Sequence, residues 1–182
     1  MKKAFLIILL LLVAAVAVFA VVASMQPAEF RISRSTKITA PPEAVFAQVN
    51  DLHKWEAWSP WAKMDPNAKM TFEGPAAGKG AAYTWAGNSK VGEGKMTITD
   101  SKPSELVVFQ LDFLKPMQGT NAAEFTFKPE GNQTLVTWTM TGTNGFVGKA
   151  FGLIVNCDKM VGGEFEKGLA AMKTLVEGDA KK

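Results

Sequence analysis

Lys159-Met160-Val161-Gly162-Gly163-Glu164-Phe165-Glu166-Lys167-Gly168-Leu169-Ala170-Ala171-Met172-Lys173-Thr174-Leu175-Val176-Glu177 is the stretch on which the fold turns. Met160, Val161, Phe165, Leu169, Met172, Leu175 and Val176 recur at helical spacing and make one apolar stripe, while Glu164, Glu166, Lys167 and Lys173 take the other side. The pattern reaches back to Asn144 and predicts one long amphipathic helix over residues 144–177. Gly178 reads as its stop, because glycine enters the left-handed cap conformation without steric cost. The two halves of this stretch differ. Residues 146–155 carry only Lys149 as a charge, which suits a lid over a cavity or a patch against a membrane, with Gly162-Gly163 as the hinge.

A helix with a single apolar stripe needs a partner surface, and the upstream sequence supplies strands. Phe30 to Ile38 alternates apolar and polar residues, and Pro41-Pro42 ends that strand. Pro42 suits the first position of a helix, where its missing N–H costs nothing, and Val45, Phe46, Val49 and Leu52 mark the buried side. Asn50-Asp51 breaks this helix and can cap a second segment, which holds Trp55, Trp58 and Trp61 and restarts at Ser59-Pro60. The three tryptophans either plug the end of the core or sit at a pocket mouth, where an indole N–H finds a partner.

From Lys69 to Thr141 the pattern is strands and turns. Tyr83 and Trp85, then Met96 and Ile98, then Val107, Phe109, Leu111 and Phe113, then Ala123, Phe125 and Phe127, then Val136, Trp138 and Met140 form the inward rows. Short connections between them predict an antiparallel meander. The fold class is therefore α+β: a curved antiparallel sheet of about seven strands wrapped around the long C-terminal helix, with two short helices after the first strand.

Lys2-Lys3 precede an unbroken apolar run, Ala4 to Ala23, long enough as a helix to cross the ~30 Å hydrocarbon core of a bilayer. An uncleaved anchor is preferred, since a signal peptide's apolar stretch is about 7 to 15 residues. Cleavage after Ala23, with secretion, is the alternative. The two lysines favour a cytoplasmic N-terminus and an exported domain, periplasmic or extracellular. The expected organisation is an anchor or signal segment with linker over 1–26, one domain over 27–178, and a charged tail at 179–182.

Residues 1–26 hold two of the 20 Lys and Arg and none of the 17 Asp and Glu, so the remainder is close to neutral and shows no nucleic-acid footprint. One Cys, Cys157, and one His, His53, leave no disulfide framework and no metal-ligand spacing. Gly87-Asn88-Ser89-Lys90-Val91 lacks the closing glycine of a nucleophile elbow, and Gly74 to Lys79 is one residue short of a phosphate loop. Asn132-Gln133-Thr134 matches a glycosylation sequon. Tyr83, Glu93, Asp112 and His53 are the polar residues placed to act inside a cavity. The inventory leans toward binding rather than catalysis, with no cofactor and no metal.

The strand end Ile38-Thr39-Ala40-Pro41-Pro42-Glu43-Ala44-Val45-Phe46, the motif Trp55-Glu56-Ala57-Trp58-Ser59-Pro60-Trp61, the strand order and Lys159 to Leu169 together resemble the START-like helix-grip superfamily. Within it, the chain resembles the polyketide cyclase/dehydrase (SRPBCC) branch, in a form with an N-terminal membrane segment. The resemblance covers roughly Phe30 to Glu177. It implies a sheet gripping the helix around a cavity for a hydrophobic small molecule or lipid, lined here by Trp58, Tyr83, Trp85, Phe109, Phe113, Trp138, Phe151 and Phe165. One alternative is a cyclase-type enzyme with Tyr83 as general acid, although no arginine follows Arg34. Another is a protein-interaction module whose cavity is filled by its own side chains.

Overall fold

The computed structural model describes residues 2–179. Ala180, Lys181 and Lys182, most of the expected charged tail, lie outside the described residues. Contacts divide the chain into two compact units: residues up to Phe30 with Thr143–Cys157, and Arg31–Gly142 with the residues from Asp158 onward.

The larger unit is built on an antiparallel sheet. Its strands are β1 (Glu29–Ile38), β2 (Lys69–Glu73), β3 (Ala82–Ala86), β4 (Glu93–Lys102), β5 (Leu106–Lys115), β6 (Gly119–Glu130) and β7 (Gln133–Thr143), in the order β1-β7-β6-β5-β4-β3-β2. β2 to β7 form a continuous meander, and β1 joins at the far side of β7. Register shifts at Glu93/Gly94 and Ile98/Asp100 mark bulges in β4, which sharpen the bend of the sheet.

Two helices were expected between β1 and β2. The first is α2 (Pro42–Asn50), with Pro42 at its start. The second is divided by its own sequence into a 3₁₀ turn (Leu52–Lys54), α3 (Trp55–Trp58) and α4 (Pro60–Met64), with Pro60 forcing the restart. Asp51 caps the turn by accepting from the His53 backbone N–H at 3.0 Å. The Trp55 and Trp58 indoles donate to the carbonyls of Val49 (2.9 Å) and Gln48 (3.1 Å). These carbonyls belong to the last turn of α2, which has no helical partners for them, so the tryptophans terminate α2 while they fill the core.

The expected single helix over 144–177 is two helices: α5 (Phe146–Ile154) and α6 (Cys157–Asp179). The break falls at Val155, in extended conformation (φ −118°, ψ 128°), and not at Gly162-Gly163. Gly162 lies inside α6 because the Arg34 guanidinium occupies the space a Cβ would need. Gly163 has nothing within 4 Å of that position. Gly178 falls within the last turn of α6 rather than beyond it. Phe165, Leu169, Met172 and Val176 are the buried stripe of α6, whereas Met160 is exposed.

Arg34 on β1 fixes the start of α6. Its Nε donates to Glu166 Oε1 at 2.7 Å and its Nη2 to Asp158 Oδ2 at 2.8 Å. At the other end of α6, the Thr39 backbone N–H donates to Glu177 Oε1 at 2.7 Å. In the smaller unit α1 (Lys2–Met25) packs against α5, with Lys149 Nζ donating to the Ser24 carbonyl at 3.3 Å and the Asn144 N–H to the Ala28 carbonyl at 2.7 Å. Among the described residues α1 is the one helix long and apolar enough to cross a membrane.

Candidate ligand-facing half of the sheet

The inner face of the sheet is composed of cross-strand rows, because residues of equal parity on neighbouring strands lie side by side. One row is Val107, Phe125 and Trp138; the next is Ile98, Phe109, Ala123 and Met140; the next is Tyr83, Met96, Leu111 and Asn121; the last is Met70, Trp85, Gly94, Phe113 and Gly119. Burial falls along this series, with Met96 of the third row the exception at 2% exposed. Val107 and Phe125 are fully buried and Trp138 is 3% exposed, whereas Leu111, Asn121, Tyr83, Trp85 and Phe113 are half-buried and Met70 is exposed.

The closed half is packed ring on ring. Trp138 stacks on Phe165 of α6 with centroids 4.1 Å apart and planes 8° from parallel, and on Phe125 at 4.7 Å. Trp55 lies 4.5 Å from Trp58 and meets Phe109 edge to face at 5.4 Å. Gly168 lets α6 approach, since a Cβ there would stand 3.0 Å from both Pro60 and Trp138. Four of the residues expected to line a cavity, Trp58, Phe109, Trp138 and Phe165, are buried in this packing.

The open half is a looser chain of rings. Phe72, Tyr83, Trp85 and Phe113 follow one another at 5.9 Å between successive centroids. Trp85 lies over Gly94, where a Cβ would come within 2.5 Å of its ring, and its indole donates to the Val91 carbonyl at 3.1 Å. Tyr83 and Trp85, two apart on β3, and Phe113, across Gly94 from Trp85, are therefore brought together. Phe151 belongs to the other unit, where it is 43% exposed.

Two polar side chains bracket an apolar floor on this half. Tyr83 and Asn121 stand at opposite ends of the row floored by Met96 and Leu111, their backbones about 14 Å apart across three strand spacings. Burial raises the Tyr83 hydroxyl above the usual phenol range, so it is a hydrogen-bond donor and not a base at neutral pH. Asn121 was missed in the sequence. The signal was present: counting back by two from Ala123, Phe125 and Phe127 reaches it.

Other polar residues expected near a cavity are engaged elsewhere. Asp112 accepts from Thr120 (2.7 Å) and Gln110 on the opposite face of β5, and Glu93 pairs with Lys115 at 2.9 Å. His53 is exposed, 3.2 Å from Asp51 and stacked on Phe72 at 4.0 Å. It lines, with Phe72, Glu73 and Pro75, a cavity of about 230 Å³ at the edge of the sheet, below the ~300 Å³ at which small-molecule pockets begin. Thr134 of the sequon is fully buried and donates to the Ala40 carbonyl at 2.7 Å. Among the described residues no group of His, Cys, Asp or Glu is arranged to hold a metal ion.

A curved antiparallel sheet whose inner face is covered over one half by a long C-terminal helix, with the other half left open and aromatic, defines a helix-grip protein. The chain belongs to the polyketide cyclase / dehydrase and lipid transport family, whose model matches residues 29–177. No curated protein matches the sequence. Among solved structures, protein CV1439 from Chromobacterium violaceum is 15% identical with a TM-score of 0.58, covering 84% of this chain and 99% of that one. The Aha1 dimer from Colwellia psychrerythraea is 18% identical with a TM-score of 0.59, covering 81% and 96%. The di-domain ARO/CYC StfQ from the steffimycin biosynthetic pathway is 10% identical with a TM-score of 0.61, covering 85% of this chain and 53% of its own. At these identities the likeness is one of fold.

Proposed function

We propose that this protein binds a hydrophobic small molecule or lipid on the open half of the sheet, tethered to a membrane by α1 with the domain exported. The observation that carries the reading is the half-buried row Tyr83, Leu111, Asn121, with Trp85 and Phe113 beside it. An apolar floor with a few polar groups at its ends is the usual composition of a site for such ligands. The family's description, which includes lipid transport, supports the same class. Tyr83, Trp85 and Phe113 are the contacts; Trp58, Phe109, Trp138 and Phe165 belong to the closed half beside them.

Binding is favoured over cyclase chemistry by the state of the polar groups. Arg34 is held by Asp158 and Glu166, and Arg31 lies 3.9 Å from Glu124, which leaves no arginine to polarise a substrate carbonyl beside Tyr83. Burial of about 250 Å² of ligand at about 25 cal/mol per Å² gives roughly 6 kcal/mol before association costs, which corresponds to micromolar affinity or weaker. Native mass spectrometry of the detergent-solubilised full chain should show a co-purified lipid or apolar molecule. Leu111→Glu, which puts a charge in the floor, should lose that adduct and bind a fluorescent fatty acid at least 10-fold more weakly. Undiminished binding in Leu111→Glu would remove the site from this face.

A further inference from the structure

We infer that α5 is a second membrane-contacting element, lying in the headgroup region of the bilayer that α1 spans. The inference rests on the anchoring proposed above. α1 runs for 24 residues, about 36 Å at 1.5 Å per residue, and so delivers Ser24 and Met25 to the far boundary of a ~30 Å hydrocarbon core. α5 is held at that boundary by the Lys149–Ser24 and Asn144–Ala28 hydrogen bonds. Phe146, Val147, Phe151, Leu153 and Ile154 are all exposed, with Ile154 at 76% and Val147 at 64%. Val147, Phe151 and Ile154 follow i, i+4, i+7 spacing and share one face.

Nine residues with five large exposed apolar side chains and one charge are costly to leave in water. Lys149 is that charge, and it points to the end of α1 rather than to the exposed face. An interfacial helix has this composition, with its apolar face in the boundary between headgroups and acyl chains. The occupant is lipid because the patch is continuous with the membrane-crossing helix: the residues that hold α5 in place are the last of α1 and the linker behind it.

The test uses the full chain in a Cys157→Ser background, reconstituted into vesicles of phosphatidylethanolamine and phosphatidylglycerol. An environment-sensitive fluorophore is placed by Leu12→Cys in α1, Ile154→Cys in α5, or Ser89→Cys in the turn between β3 and β4. Quenching is then read from lipids carrying a nitroxide near the headgroup or deep in the chain. The Leu12 label should be quenched by the deep nitroxide, and the Ile154 label by the shallow one several-fold more than the Ser89 label. A quenched Leu12 label with an Ile154 label no more quenched than Ser89 overturns the inference while leaving the anchor intact. An unquenched Leu12 label overturns the anchor and this inference together. An Ile154 label shielded from both lipid and aqueous nitroxides would place a protein on α5 and also overturn it.

Discussion

The closed and open halves of the inner sheet face are made from the same strands, the same alternation and much the same residue types, yet only one is packed solid. Phe125 and Phe113 illustrate the difference. Both face inward from neighbouring strands, but Phe125 is fully buried between Trp58, Trp138 and Phe109, whereas Phe113 is half-buried and meets one ring, Trp85, among the described residues. The distinction comes from what lies above them. α3, α4 and the Phe165–Val176 stripe of α6 are delivered to the closed half, and Pro60 and Gly168 allow the closest approach. The general lesson is that an apolar sheet face in this fold becomes core or binding surface according to where its covering elements stop.

The comparison breaks most readily at the two tryptophans that represent its halves. Trp138→Ala should cost about 3 to 5 kcal/mol in denaturant unfolding, the range for deleting a buried aromatic. Trp85→Ala should cost less than half of that and lower ligand affinity instead. Equal losses would mean that the open half is core as well.

A smaller effect is expected where α6 meets β1. Gly162→Ala must displace the Arg34 guanidinium and should destabilise by about 1 to 3 kcal/mol, as overpacking does. Gly163→Ala meets nothing within 4 Å and should stabilise by about 0.5 to 1 kcal/mol through helix propensity. Thermal melts of the pair separate close packing from a hinge, because a hinge would be perturbed at either position.

Next comes Tyr83→Phe, which removes one donor from the open half. Stability should be unchanged within error, and affinity for a ligand with a polar end should fall by roughly 5-fold, the worth of one hydrogen bond near 1 kcal/mol. Isothermal titration checks it, and an unchanged affinity would leave Asn121 as the polar anchor.

The smallest effect is pH-dependent and concerns the carboxylates that hold the closing helix. The hydrogen bonds from Arg34 hold Asp158 below the usual carboxylate range, and the Thr39 N–H does the same for Glu177. A depressed carboxylate contributes stability that is present above its unfolded value and lost as pH falls through its folded value. Asp158 is 61% exposed and Glu177 26%, so solvent screens both and the loss is modest. Hydrogen exchange should show α6 loosening first as the medium is acidified below the ordinary carboxylate range, with the β3–β5 amides of the open half unaffected.

Most of the sheet was legible because alternation is a local property. Val107, Phe109, Leu111 and Phe113 announce β5 without reference to any other strand, and Pro42 and Asp51 mark the boundaries where they are found. The candidate site was legible in part. Tyr83, Trp85 and Phe113 share a parity that can be counted, but nothing local distinguishes them from Phe109 and Trp138, which became core. The break between α5 and α6 was not legible, since Val155-Asn156 contains neither proline nor glycine, while the conspicuous Gly162-Gly163 pair drew attention to the wrong place.

The sequence by itself determined the apolar span, the strand meander and the stripe of the last helix, because periodicity needs only neighbours along the chain. Tertiary structure alone decided which aromatic rings are covered, why Gly162 is a glycine, and where the unpaired carbonyls of α2 find donors. Each of these depends on side chains brought together from positions far apart in the chain: Arg34 with Asp158 and Glu166, Pro60 with Gly168, and Trp58 with Trp138. Covering a surface is a contact between distant segments, and no local pattern records it.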